Sequence, residues 1–166
     1  NWPYNWSEFC DAYTYVPDDN FEQALIDLGY DDVLDDSVTT QNIYNVTELH
    51  IGSMDISDIT GIEDFTALTL LHCYNNGLTS LDVSNNISLT YLDCGNNQLT
   101  SLDVSNNTAL TDLDVQGNQL TSLDVSNNTA LEIFKCQNNQ LTTLDVSANT
   151  ALSKLYCQNN QLTALD

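Results

Sequence analysis

From Leu68 onward the chain alternates apolar and polar positions in one recurring form, L-x-x-L-x-C/V-x-x-N. The segment LTYLDCGNNQ from Leu89 is followed by LTSLDVSNNTA from Leu99, and the pair recurs from Leu110, Leu131 and Leu152 and precedes itself from Leu68, a period of 21 residues. Such a fixed period marks a repeat architecture, in which each unit buries its apolar face only against its neighbours. Within a half-repeat, positions 4 and 6 fall on one side of a short strand and positions 3, 5 and 7 on the other. Asn at position 9 suits a corner, where its amide bonds the turning backbone of its own coil and of the next. Asn76, Asn97, Asn118, Asn139 and Asn160 form one such ladder, and Asn86, Asn107, Asn128 and Asn149 a second. The pattern predicts two strands and two corners per coil, with leucines meeting inside and coils roughly 4.8 Å apart.

The run from Leu89 to Leu99 resembles the leucine-rich-repeat signature, with Cys in place of the third Leu. The nested L-x-x-L-D-V half is similar to a bacterial 21-residue class known as IRREKO repeats. Val46 to Leu68 resembles an internalin-like repeat, one residue longer, with Met54 in place of the corner Asn. Upstream, Tyr15 to Tyr30 (YVPDDNFEQALIDLGY) resembles the N-terminal cap of secreted leucine-rich-repeat proteins of marine Bacteroidetes. The resemblance covers about residues 15–166. It implies an α/β solenoid dominated by β structure: a right-handed leucine-rich-repeat coil with parallel β-sheets and a short cap helix. It also implies a secreted or cell-surface location.

The cap reads as a helix on its own evidence. Asp18 or Asp19 is a suitable N-cap after Pro17, Phe21, Leu25 and Leu28 give an apolar stripe, and Gly29 supplies the stop. The expected division is 1–45 for the N-terminal extension and cap, and 46–166 for the solenoid. Because Asp166 falls halfway through a repeat, further repeats or another domain are expected to follow it in the parent chain.

Charge narrows the function. Twenty-four acidic residues against two lysines and no arginine give a net charge of -22. Phosphate backbones and anionic membrane surfaces both need a cationic footprint, so nucleic acid and membrane are excluded as partners. No apolar run approaches the length of a membrane span. With 42% apolar residues the chain can still build a packed core, so the charge belongs on its outside. One column of it is written by the near-invariant half-repeat: Asp82, Asp103, Asp124, Asp145 and Asp166. Neighbouring Ser and Thr groups are expected to satisfy these carboxylates in solvent, with relief by salt or Ca²⁺ as the sharper alternative.

Cys73, Cys94, Cys136 and Cys157 share position 6 with Val115, so they read as small buried hydrophobes, not as ligands or disulfide partners. Cys10 lies outside the repeats. The loop bearing Asp31, Asp32, Asp35 and Asp36 is a weak Ca²⁺ candidate without the alternating oxygens of an EF-hand; no other metal site and no cofactor is indicated. Asp36-Ser37-Val38 matches a short O-glycosylation pattern, and Asn-linked sequons recur with the repeat. His50 and His72 occupy equivalent positions near Asp93, but no nucleophile or phosphate-binding motif accompanies them, so an enzyme is not expected.

The other half-repeat varies, and there recognition is expected. Position 3 reads Leu70, Tyr91, Asp112, Ile133, Lys154; position 5 reads His72, Asp93, Asp114, Lys135, Tyr156; position 7 begins with Tyr74 and ends in three glutamines. Both lysines of the chain fall on this strip. The candidate partner-binding residues are therefore His72, Tyr74, Tyr91, Asp93, Asp112, Asp114, Lys135, Lys154 and Tyr156. A simpler role for the lysines is to pair with Asp114 and Asp112 on the preceding rung. The expected function is a non-catalytic, monomeric binding module for a protein. The alternatives are a polysaccharide-binding module and a spacer or adhesin stalk.

Overall fold

The computed structural model describes residues 12–163. They form a parallel-strand solenoid of about five turns, closed at its start by a small helical cap. In the cap, β1 (Tyr13–Tyr15) pairs antiparallel with β2 (Ser37–Thr39), and α1 (Asp19–Asp27) lies between them in the chain. A four-residue helix, α2 (Thr40–Ile43), leads into the coils. Six three-residue strands then stack in chain order: β3 (Glu48–His50), β4 (Leu70–His72), β5 (Tyr91–Asp93), β6 (Asp112–Asp114), β7 (Ile133–Lys135) and β8 (Lys154–Tyr156).

Asp18 caps α1, its Oδ1 accepting the N–H groups of Asn20 and Phe21 at 3.0 Å each. Gly29 ends the helix in the left-handed region at φ 81°, as a residue without Cβ can do without strain. Its N–H bonds the Ile26 carbonyl and that of Tyr30 bonds Leu25, the paired closure that satisfies orphan carbonyls at a helix C-terminus. The buried apolar stripe is Phe21, Ala24 and Leu25; Leu28, the C-cap just past the helix, is exposed and does not join it. Phe21 meets Phe65 of the first coil, with ring centroids 6.5 Å apart. The second oxygen of Asp18 accepts Ser57 N–H, Ser57 Oγ–H and Asp58 N–H, so one carboxylate joins cap to solenoid. These donors hold its pKa low against the opposing effect of burial.

The core is the predicted leucine stack. Leu71, Leu92, Leu113 and Phe134 at position 4, and Cys73, Cys94, Val115 and Cys136 at position 6, are buried, as are Leu78, Leu99, Leu120 and Leu141 from the other half-repeat. The cysteines are free, and burial pushes the Cys73 and Cys94 thiols far up and Cys136 to about 12. Cys10 and Asp166 lie outside the described residues.

The first asparagine ladder works as expected. Asn97 Nδ2 donates to the Cys73 and Cys94 carbonyls at 3.0 Å each, and its Oδ1 accepts Leu78 N–H at 3.1 Å. Asn118 and Asn139 repeat this pattern. At the first corner, where Met54 stands, Asn76 of the next coil accepts both Met54 N–H and Ile56 N–H. The residue before each corner is left-handed as well: Asn75, Asn96, Asn138 and Asn159 have φ of 52–57°, and Gly117 takes the same place at 64°. Asn and Gly tolerate that region, which suits the doubled Asn and its one replacement by Gly in the 21-residue coils; in the longer first coil Ser53 holds the place at 61°.

One expectation fails. The near-invariant half-repeat makes no strand ladder; its only pairing among the described residues is an isolated parallel bridge, Asp82 to Asp103. In the second ladder the amide still donates, Asn107 Nδ2 to Val83 O and Asn86 O at 3.0 Å each. Its Oδ1, like those of Asn86, Asn128 and Asn149, accepts nothing from the protein. Here the backbone N–H groups close local turns, such as Asn107 to Val104 and Leu110 to Asn107, leaving few to build a second sheet.

Candidate functional site

Strict register turns the variable half-repeat into two straight columns on the exposed face of the sheet. Glu48, Leu70, Tyr91, Asp112, Ile133 and Lys154 are paired in sequence along one, and His50, His72, Asp93, Asp114, Lys135 and Tyr156 along the other. All nine residues singled out from the sequence therefore share this face, with Tyr74 beside the second column. Their availability differs, however. Tyr156 and Lys154 are exposed, whereas Tyr91, Asp93, Asp112 and Lys135 are half-buried.

Asp114 is 4% exposed, because Lys135 covers it. Lys135 Nζ lies 2.9 Å from Asp114 Oδ2, while Asp114 Oδ1 accepts Gln116 N–H at 3.1 Å. The hydrogen bond from Lys135 Nζ to Asp114 raises the Lys135 pKa. The second proposed pairing is absent: Lys154 stands opposite Ile133, with Asp112 two strands away, so register denies it that partner. Among the described residues Lys154 makes no ion pair.

At the cap end the face is aromatic. His50 Nδ1 and His72 Nδ1 are 3.0 Å apart, and His50 Nε2 is 3.7 Å from Glu48 Oε2. The His72 ring packs edge-on against Tyr91, centroids 5.0 Å apart, and against Tyr74 at 6.0 Å. Burial, and then the neighbouring His50, lowers the His72 pKa. Burial, and then the charge of Asp114, raises that of Asp93, although Gly95 N–H and His72 oppose this. Tyr91 is likewise raised, by burial and by Asp93.

Two glycines on this strip were missed as functional. A Cβ on Gly52 would lie 2.7 Å from the Tyr74 ring, and one on Gly95 3.3 Å from both Asp93 Oδ1 and Asp114 Oδ1. Their bareness lets the ring and the two carboxylates lie flat on the sheet. His50 and Glu48 also join the site. They lie in the first, 22-residue repeat, outside the strict period from which the candidates were drawn.

The opposite rim carries the acidic column. Asp82, Asp103, Asp124 and Asp145 each accept a backbone N–H from the serine two residues on, at 2.8–2.9 Å. Bonds from these serines hold all four carboxyls below their ordinary range. In the cap loop, Asp35 and Asp36 are exposed and Asp31 is partly enclosed. No helix among the described residues is long and apolar enough to cross a membrane.

The architecture is a leucine-rich-repeat solenoid with a 21-residue period, of the kind found in internalins. A family model described as Leucine Rich repeats (2 copies) matches residues 87–128. Internalin J of Listeria monocytogenes serotype 4b is 42% identical over 72 residues, covering 43% of this chain and 8% of that protein. The crystal structure of an internalin from Listeria monocytogenes superposes with a TM-score of 0.82 at 26% identity, over 90% of this chain and 46% of that one. A leucine-rich-repeat protein of Leptospira interrogans gives 0.71 at 30% identity, over 76% and 34%. The chain thus spans less than half the length of each of these relatives.

Proposed function

We propose that this chain is a non-catalytic, extracellular recognition module that binds a protein through the exposed face of the six-stranded sheet. The observation carrying this reading is the register. It gathers nearly all chemical variety of the repeats on one rigid face, while the other half-repeat writes Thr, Ser and Asp into each 21-residue coil. A preformed surface pays little ordering entropy on binding, and half-buried tyrosines offer large contact area. The likeness to internalins supports a bacterial surface or secreted setting. Buried thiols fit that setting, because enclosure keeps them protonated and out of reach of oxidants.

Alanine at Tyr74, Tyr91 and Tyr156 tests the reading without touching the core. Partners captured by the unsubstituted chain from surface proteins of its environment should be lost in the triple variant and retained in Asp103→Asn. Binding to a glycan array and not to protein would favour the polysaccharide alternative. Capture unaffected by the tyrosines would favour a stalk and refute the assignment of this face.

A further inference from the structure

At the cap end of the sheet face two imidazoles are joined by a hydrogen bond that has room for one proton. Register sets His72 between His50 on β3 and Asp93 on β5, all in one column. His50 Nδ1 and His72 Nδ1 are 3.0 Å apart, with the rings edge-on and their centroids 4.9 Å apart. At that distance one Nδ1 donates and the other must be bare, so at least one ring has to be neutral. Glu48 Oε2 lies 3.7 Å from His50 Nε2 and favours a proton there. A neutral pair therefore has His72 Nδ1–H donating to His50 Nδ1. A singly charged pair keeps the contact too, with the charge on His50 beside Glu48 and the roles of donor and acceptor exchanged. A doubly charged pair cannot keep it: both Nδ1 atoms then carry hydrogen, and two imidazoliums face each other at hydrogen-bond distance.

His72 also packs edge-on against Tyr91, ring centroids 5.0 Å apart, and against Tyr74 at 6.0 Å. It thus touches His50 and both tyrosines at once, and whatever moves it moves the aromatic end of the face. The titratable groups facing it are Glu48 and His50 from β3, Tyr74 just past its own strand, and Tyr91 and Asp93 from β5. A phenol stays neutral wherever histidine titrates, so the charges that matter are the two carboxylates and the other imidazole. Burial and His50 disfavour a charge on His72, Asp93 and Glu48 favour it, and the first two prevail.

We propose that the His50–His72 pair is an acid-triggered latch on the sheet face. While the pair carries at most one charge, it keeps His72 against Tyr74 and Tyr91. The second proton parts the two rings, releases His72 to solvent and frees the tyrosines. Because the fold favours neutral His72, the latched arrangement is complete above the ordinary histidine value of 6.5 and is lost as pH falls through the lowered one. The consequence for a partner, weaker binding in mildly acidic surroundings, rests on this face being the recognition surface; the latch itself does not.

The test is NMR of the ligand-free chain, following the rings of His50, His72, Tyr74 and Tyr91 from about pH 8 downward through the His72 midpoint. Contacts between the His72 and Tyr91 rings are expected above that midpoint and lost below it, while the backbone resonances of β6–β8 stay in place. His50→Gln gives His72 an uncharged partner that accepts its Nδ1–H in both protonation states. In that variant the ring contacts should persist although His72 still titrates. Asp93→Asn, which keeps an acceptor for Gly95 N–H, removes a charge that favours protonated His72. It should lower the His72 midpoint, with loss of the ring contacts still following that midpoint. Contacts that survive once both histidines are charged overturn the proposal, as does their loss in His50→Gln. A loss that no longer follows His72 in Asp93→Asn assigns the trigger to that carboxyl, and a sheet that unfolds before His72 titrates leaves no latch; either result overturns it too. None of these readouts involves a partner, so the recognition role of the face is decided separately, by the capture experiment.

Discussion

Replacing Lys135 by Met separates two roles that the variable face assigns to the same side chain. Lys135 Nζ sits 2.9 Å from Asp114 Oδ2, with the lysine side chain 36% exposed and the aspartate 5%. A fully exposed pair contributes about 0–1 kcal/mol, and removing one partner of a fully buried pair costs about 3–5 kcal/mol. Here the orphaned group is the buried one, yet solvent reaches it once the lysine is gone, so the loss should be about 2 kcal/mol. Asp114→Asn keeps an acceptor for Gln116 N–H and strands only a half-exposed ammonium, so it should cost less. The double variant should be more stable than the sum of the two losses predicts, by about 1 kcal/mol or more. Urea unfolding of the ligand-free chain at neutral pH measures each value from the midpoint at unchanged slope. If Lys135→Met stays within about 0.5 kcal/mol of the parent, or the two changes are additive, the ion pair is not what buries Asp114 and the reasoning fails. Loss of partner binding in a variant that remains fully folded at the assay temperature would then belong to contact, not to stability.

Three further outcomes follow from the geometry. Asn118→Ala strands Leu99 N–H inside the coil and takes one of two donors from each of the Cys94 and Val115 carbonyls, which Asn97 and Asn139 still serve, and should cost about 1–3 kcal/mol in the same urea assay. The exposed neighbour Gln119→Ala should cost under about 0.5 kcal/mol, and equal losses at the two sites would refute the ladder. His72 has a folded pKa below its unfolded value near 6.5. Its contribution to stability is therefore complete above that value and lost as pH falls through the depressed one. An NMR titration placing folded His72 at or above 6.5 would contradict this, and His50→Gln should raise its pKa. Gly52→Ala drives a methyl into the Tyr74 ring, so it should displace that ring and weaken partner binding while changing stability by less than about 1 kcal/mol; unchanged Tyr74 ring resonances would count against it.

Much of the molecule is legible without a structure. A strict 21-residue period, leucine at fixed places, Cys interchangeable with Val, and Asn at each corner together determine the coil, its core and the first hydrogen-bond ladder, because every repeat must satisfy the same geometry. The strand alternation likewise determines which side chains share the exposed face. Period alone does not say how many backbone groups remain for pairing, so the half-repeat that closes local turns reads like a second strand and is not one. Nor does it reveal depth. Asp114 and Asp112 look alike in the sequence, but only Asp114 lies beneath a lysine, because register sets Lys135 over it and leaves Lys154 over Ile133. Gly52 and Gly95 matter through what lies across them, which neighbouring coils decide. The same holds for Glu22, which reads as an ordinary polar position of a cap helix. Only the fold turns it inward, against a loop with two N–H groups to give, because contacts between distant segments set burial and thereby the cost of charge.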